Sequence, residues 1–198
     1  MIINGSPRAP KSNSKRYAEI FMRYHNNETL YFNINKNNHN ELISEIGNSS
    51  DLIIMFPLYV DSLPVGLLDF LKYMEKNPPT NKPAISILIN CGFLEHEQNN
   101  IAIDMIKFYC RKNGFKIGSI LSLGSGEAIL DTPFKFIARN NIKKFSKSIS
   151  SMKYDSFQAT MPLPKKIFIW ASTNYWKSYG KKFGITKQNM QTMHIEDM

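Results

Sequence analysis

The chain has 198 residues, of which 42% are hydrophobic, 12% aromatic and 21% charged, a balance that excludes a disordered polymer and suits a folded core. Its formal net charge of +9 is uneven: residues 1 to 100 carry 9 Lys+Arg against 10 Asp+Glu, and residues 101 to 198 carry 16 against 6. That excess permits attraction to nucleic acid, an anionic membrane or a phosphorylated ligand and selects none of them.

The longest apolar run, Leu52 to Val60, is interrupted by Pro57 and falls far short of the ~20 residues that span a bilayer, so no integral membrane association is expected. The opening residues lack a charged-then-apolar leader, which makes a cytoplasmic location the expectation. Cys91 and Cys110 belong to no C-x-x-C pair, and the four histidines are scattered among polar residues. Buried free thiols are expected, and a metal site is not.

In chain order, IIN at 2 to 4 reads as a short first strand. A helix follows from a Ser12 or Ser14 cap to about residue 26. TLYFNI at 29 to 34 reads as a second strand, and residues 40 to 47 as a helix. DLIIMF at 51 to 56 is continuously apolar, as a strand covered on both faces must be. Residues 62 to 76 are helical, with Ser62 as the expected cap and Pro64 in the first turn. AISILIN at 84 to 90 is a further buried strand, and residues 97 to 113 are a helix stopped by Gly114. KIGSILSLGSG at 116 to 126 supplies a fifth strand, and residues 134 to 152 a basic amphipathic helix. Strands alternating with helices predict an α/β, doubly wound, five-stranded parallel sheet in the order 2-1-3-4-5. Residues 1 to 152 form this domain, and residues 153 to 198 a C-terminal helical extension that begins its helix near Pro164.

In such a sheet ligands bind beyond the carboxyl ends of the strands, where the strand order reverses. The loops after strands 1, 3 and 4 are therefore the informative ones. NGSPRAPKSNSK, residues 4 to 15, has phosphate chemistry: Gly5 lets the chain turn sharply, and Ser6, Ser12, Asn13 and Ser14 offer hydroxyl and amide donors. The helix N-terminus adds free N–H groups, and Arg8 a planar charged fork. Taken alone, the loop reads equally as a Ser-capped helix with a solvent-exposed Arg. It lacks G-x-x-x-x-G-K-[ST] and G-x-G-x-x-G, which argues against a nucleoside-triphosphate or dinucleotide site. In PLYVDSLP, Tyr59 offers a flat face for stacking on a planar ring, or folds over the next helix. NCGF adds a Gly that permits close backbone approach, and Phe93 as a second wall. Cys91 is read as inert.

Together, INGSPR and SNS within residues 3 to 14, PLYVDSLPVGLLDFL at 57 to 71 and NCGFLE at 90 to 95 resemble the flavodoxin-like NAD(P)H-dependent FMN reductases, over roughly residues 1 to 150. The resemblance implies FMN at the switch point. Ser6, Arg8, Ser12, Asn13 and Ser14 would hold its phosphate. Pro57, Leu58, Tyr59, Val60, Asp61 and Ser62 would line the isoalloxazine, with Tyr59 and Val60 nearest, and Asn90, Gly92 and Phe93 would close the other side. No side chain need act as acid or base, because flavin N5 takes the hydride from NADPH or NADH. Relatives with this loop often carry clustered cysteines after strand 2; NINKNNHNEL has none, so an iron–sulfur centre is not expected.

The tail carries Phe168, Trp170, Tyr175 and Trp176 among Lys177, Lys181 and Lys182. Such rings are poorly served by solvent on all sides. Packing on the same subunit or across a homodimer is the expectation, ahead of a membrane surface or nucleic acid. The function implied is an FMN-dependent reductase of a small acceptor: a quinone, a nitro or azo compound, or a flavin. The rivals are a flavodoxin-like electron carrier without nicotinamide turnover and a scaffold that keeps the fold without the cofactor. Carriers of that kind are typically acidic and tailless, which favours the enzyme.

Overall fold

The computed structural model describes residues 1–192, and its elements follow the alternation of apolar runs and amphipathic segments. The strands are β1 (Ile2–Asn4), β2 (Tyr31–Asn33), β3 (Asp51–Pro57), β4 (Ala84–Asn90), β5 (Ile117–Leu123) and β6 (Ser156–Ala159). The helices are α1 (Asn13–Tyr24), α2 (His39–Gly47), α3 (Val65–Lys76), α4 (Asn100–Asn113), α5 (Lys135–Ser150) and α6 (Lys165–Lys181). All strand pairs are parallel, in the order β2-β1-β3-β4-β5-β6.

The expected five-strand sheet therefore gains a sixth strand, inside the stretch assigned to the extension. Ser156, Phe157, Gln158 and Ala159 form no continuous apolar run. They become a strand by pairing with the far edge of β5, from Ile120 opposite Ser156 to Leu123 opposite Ala159.

Alternation along each strand divides the core. Ile3, Ile54, Phe56, Ile87 and Ile89 face Leu42 and Ile46 of α2, Leu67 and Phe70 of α3, and Ile106 of α4. On the other face α1 and α5 pack together against the sheet, with Phe21 edge-on to Phe145 at 5.8 Å between centroids. Fully burying each such side chain contributes about 1.5–3 kcal/mol, so the central strands are the rigid base on which the loops stand.

Element ends differ from expectation where side chains find other partners. Ser12 is the cap of α1, its Oγ accepting from the Lys15 N–H at 3.2 Å. Ser62 does not cap α3: Pro64 holds the cap position, and the Ser62 hydroxyl donates to Met105 Sδ at 3.5 Å. Gly114 ends α4 in the left-handed conformation at φ 71°, as a C-terminal glycine commonly does. A 3₁₀ turn, His96–Asn99, precedes α4, and another, Ile129–Asp131, precedes α5.

The chain divides into two compact units, Met1–Met161 and one that begins at Pro162. In the second, the rings of Tyr175, Trp176, Tyr179 and Phe183 contact one another along α6 and just beyond it. Ile167, Ile169 and Trp170 are exposed. Among the described residues no helix is long and apolar enough to cross a membrane, and no group of His, Cys, Asp and Glu is placed to hold a metal ion.

Candidate functional site

The strand order reverses at β1 and β3, and the loop after β1 is held there by Asn4, which is fully buried. Its Oδ1 accepts from the Ser6 N–H at 3.0 Å, and its Nδ2 faces Ser12 Oγ, Tyr31 OH and Asn33 Oδ1 at 2.9–3.2 Å. One side chain thus fixes both ends of the Ser6–Ser12 loop to β2. The Arg8 N–H donates to Ser6 Oγ at 3.3 Å. At Gly5 an added Cβ would lie 3.2 Å from Leu67, so the chain leaves β1 against α3. The first turn of α1 contains no acidic residue, and its leading N–H groups have no partner within the helix.

The second loop leaves Pro57 with the Leu58 N–H donating to Asn90 O at 2.8 Å. Tyr59 and Ser62 exchange both backbone hydrogen bonds at 3.0 Å, and the two residues between them sit at positive φ, 48° for Val60 and 53° for Asp61. That is a type I′ turn, which Asn-Gly normally fills. In the third loop Asn90 is buried, and its Nδ2 donates to Ser14 Oγ at 3.3 Å and Phe56 O at 3.2 Å, tying β4 to α1 and β3.

These loops enclose a cleft of about 130 Å³ lined by Ser6, Arg8, Ser12, Asn13, Ser14, Pro57, Leu58, Tyr59, Asn90, Cys91, Gly92 and Glu127. Ten of the fourteen expected residues meet there. Val60 and Asp61 form the tip of their turn, where Val60 is 91% exposed. Ser62 turns to Met105, and Phe93 stands exposed outside the lining. Burial pushes the Cys91 thiol up to about 11, which suits a wall residue and not a nucleophile.

A fourth segment, residues 124–134 after β5, reaches the cleft and was not expected there. The Gly126 N–H donates to Cys91 O at 2.7 Å, the buried Tyr17 hydroxyl to Gly126 O at 2.6 Å, and Asn13 Nδ2 to Glu127 O at 3.2 Å. Arg16 of α1 grips both carboxylate oxygens of Asp131, at 2.8 and 2.5 Å. The hydrogen bond from Arg16 holds the Asp131 carboxyl below its usual range and raises Arg16 in turn. One oxygen of Glu127 lies 3.5 Å from the Arg8 guanidinium. The small residues of GSG are the signal in the sequence, since a glycine lets backbone approach closely; β5 lies away from the switch point, so strand order alone does not single out its loop.

The donor set fits a phosphate monoester. Ser6, Ser14, Arg8 and the head of α1 line the cleft together, and Tyr59 adds an aromatic side chain to its wall.

No family model matches the sequence, and no curated protein matches it. Solved structures do match. A P. pentosaceus NADPH-quinone reductase shares 16% identity at TM-score 0.58, over 75% of this chain and 95% of the other. An FMN-dependent NADH-azoreductase from Bacillus anthracis, solved with FMN, shares 14% at 0.56, over 75% and 97%. A Streptococcus pneumonia TIGR4 flavodoxin shares 11% at 0.56, over 76% and 97%. The fold is flavodoxin-like. In a flavodoxin-like sheet the reversal of strand order at β1 and β3 leaves a crevice at their carboxyl ends, and the cleft built by Asn4, Ser14 and Asn90 occupies that crevice.

Proposed function

We propose that this chain is an FMN-dependent oxidoreductase that takes a hydride from NADPH or NADH and reduces a small acceptor: a quinone, a nitro or azo compound, or a flavin. One observation carries the reading. Ser6, Ser14, Arg8 and the N-terminal residues of α1 line one cleft at the switch point, with Tyr59 in its wall.

Bound FMN would supply the redox chemistry at N5. The chain's own residues do the holding. Arg8 and the serines neutralise and hydrogen-bond the phosphate, with Ser12 and Asn13 at the helix entrance. Asn90 fixes the Ser14 hydroxyl, and Pro57, Leu58, Tyr59, Asn90 and Gly92 shape the walls for the ring. Val60 and Asp61, at the tip of their turn, and the exposed Phe93 are assigned to the ring's exposed edge and the acceptor's approach, while Ser62, turned to Met105, is given no role in the site. A fold with a quinone reductase and an azoreductase among its neighbours supports the enzyme reading. A flavodoxin at equal TM-score keeps the electron carrier as the second reading. We place the protein in the cytoplasm as a homodimer, with α6 of the tail packed on its own subunit or its partner.

The test is comparative binding of FMN and riboflavin, which differ by the phosphate. The Arg8→Ala/Ser14→Ala double variant is expected to weaken FMN by about 100-fold, the worth of two charge-assisted hydrogen bonds, and riboflavin by much less. Equal losses for both flavins would contradict the assignment.

A further inference from the structure

Glu127 contributes the one carboxylate among the described residues lining the cleft. It sits at the mouth of what the rest of the lining makes an anion cradle. One oxygen is 3.5 Å from Arg8 Nη1, and the other lies over Gly92, where an added Cβ would come within 3.3 Å of it. Its backbone has no room to withdraw. Asn13 holds the Glu127 carbonyl, and Gly126 is held by hydrogen bonds at both its N–H and its C=O. A Cβ at Gly126 would lie 2.6 Å from Asn90 Cβ, so the loop is packed directly on β4. The Glu127 side chain itself is half exposed. A phosphate seated beside Arg8 therefore meets a carboxylate that can yield only by side-chain rotation, because its backbone stays where Asn13 and the packing of Gly126 hold it.

We propose that Glu127 is an anionic gate on the phosphate cradle, anchored through its backbone: it competes for Arg8 and sets an electrostatic threshold against doubly charged phosphate esters. The inference rests on the reading of the cleft as a phosphate site. Repulsion between a carboxylate and a phosphate dianion about 6 Å apart in a water-like dielectric corresponds to about a tenfold change in affinity, and added salt screens it.

The experiment compares the wild-type chain, Glu127→Gln and Glu127→Ala. Inorganic phosphate is titrated while the backbone amide signals of Ser14 and Gly92 are followed by NMR; FMN and riboflavin are titrated separately by flavin fluorescence. Both variants are expected to bind phosphate and FMN about tenfold more tightly at low ionic strength, with riboflavin changed less than about twofold and the gain shrinking in salt. Unchanged or weaker phosphate binding in Glu127→Gln would overturn the gate, and weaker binding would make Glu127 an orienter of Arg8. A gain confined to Glu127→Ala and shared by riboflavin would also overturn it, as a purely steric effect. If phosphate responds as expected but neither flavin binds, the gate stands and the flavin reading falls. If FMN binds and phosphate does not respond, the reverse holds.

Discussion

Val60 and Asp61 occupy the two central positions of a type I′ turn with φ of 48° and 53°. A β-branched residue there is strained by its own Cβ, at a cost of about 1–3 kcal/mol. Val60 buries almost nothing in return, so the strain is sustained by the paired hydrogen bonds of Tyr59 and Ser62. Val60→Asn, which tolerates this conformation, is expected to stabilise the protein by about 1 kcal/mol, seen as a melting temperature higher by roughly 2–4 °C. No change or a loss in a thermal scan would contradict the strain assigned to Val60. At this scale the sequence was informative where chemistry is local. Ser12 lies at a recognisable helix start, and Ser6, Arg8 and Ser14 lie in one short loop. The role of Asn4 is not legible locally, because it depends on Tyr31 and Asn33, which the sheet brings beside it.

Between elements, α1 is the hub. Its first turns hold the loop after β5 through Asn13, Arg16 and Tyr17, and its C-terminal cap, His25, meets α5. The His25 ring stacks on Phe21 at 4.8 Å, with Nδ1 3.2 Å from the hydroxyls of both Ser146 and Ser150. Burial, helped by the nearby N-terminal amine, lowers its pKa below the ordinary 6.5. The fold therefore favours the neutral ring. Its contribution is complete above the unfolded value of about 6.5 and is lost as pH falls through that value toward the folded one. Thermal unfolding is expected to show stability declining from pH 7 to pH 5 in the wild type, and a shallower decline in His25→Gln. Parallel slopes would remove His25 from the account. The strands and helices were legible because their apolar periods are local. The loop carrying Glu127 was not, because more than a hundred residues separate it from the α1 side chains that hold it.

Across the whole molecule, β6 closes the sheet on its β5 edge and takes Ala159 and Met161 into the buried set. Its polar residues concealed it in the sequence, since only the β5 edge makes them a strand. A chain ending at residue 161 is expected to fold cooperatively, whereas one ending at residue 152 exposes the β5 edge and melts at lower temperature with a tendency to aggregate; equal melting would contradict that role for β6. The central claim concerns electrons. Purified protein is loaded with FMN and titrated anaerobically with NADPH and with NADH while the flavin absorbance is followed. The account predicts a yellow holoprotein whose flavin bleaches with at least one nucleotide and regains its colour when a quinone is added. A chain that stays colourless after incubation with FMN would contradict the site, and a flavin that binds but resists both nucleotides would contradict the enzyme and leave the electron carrier.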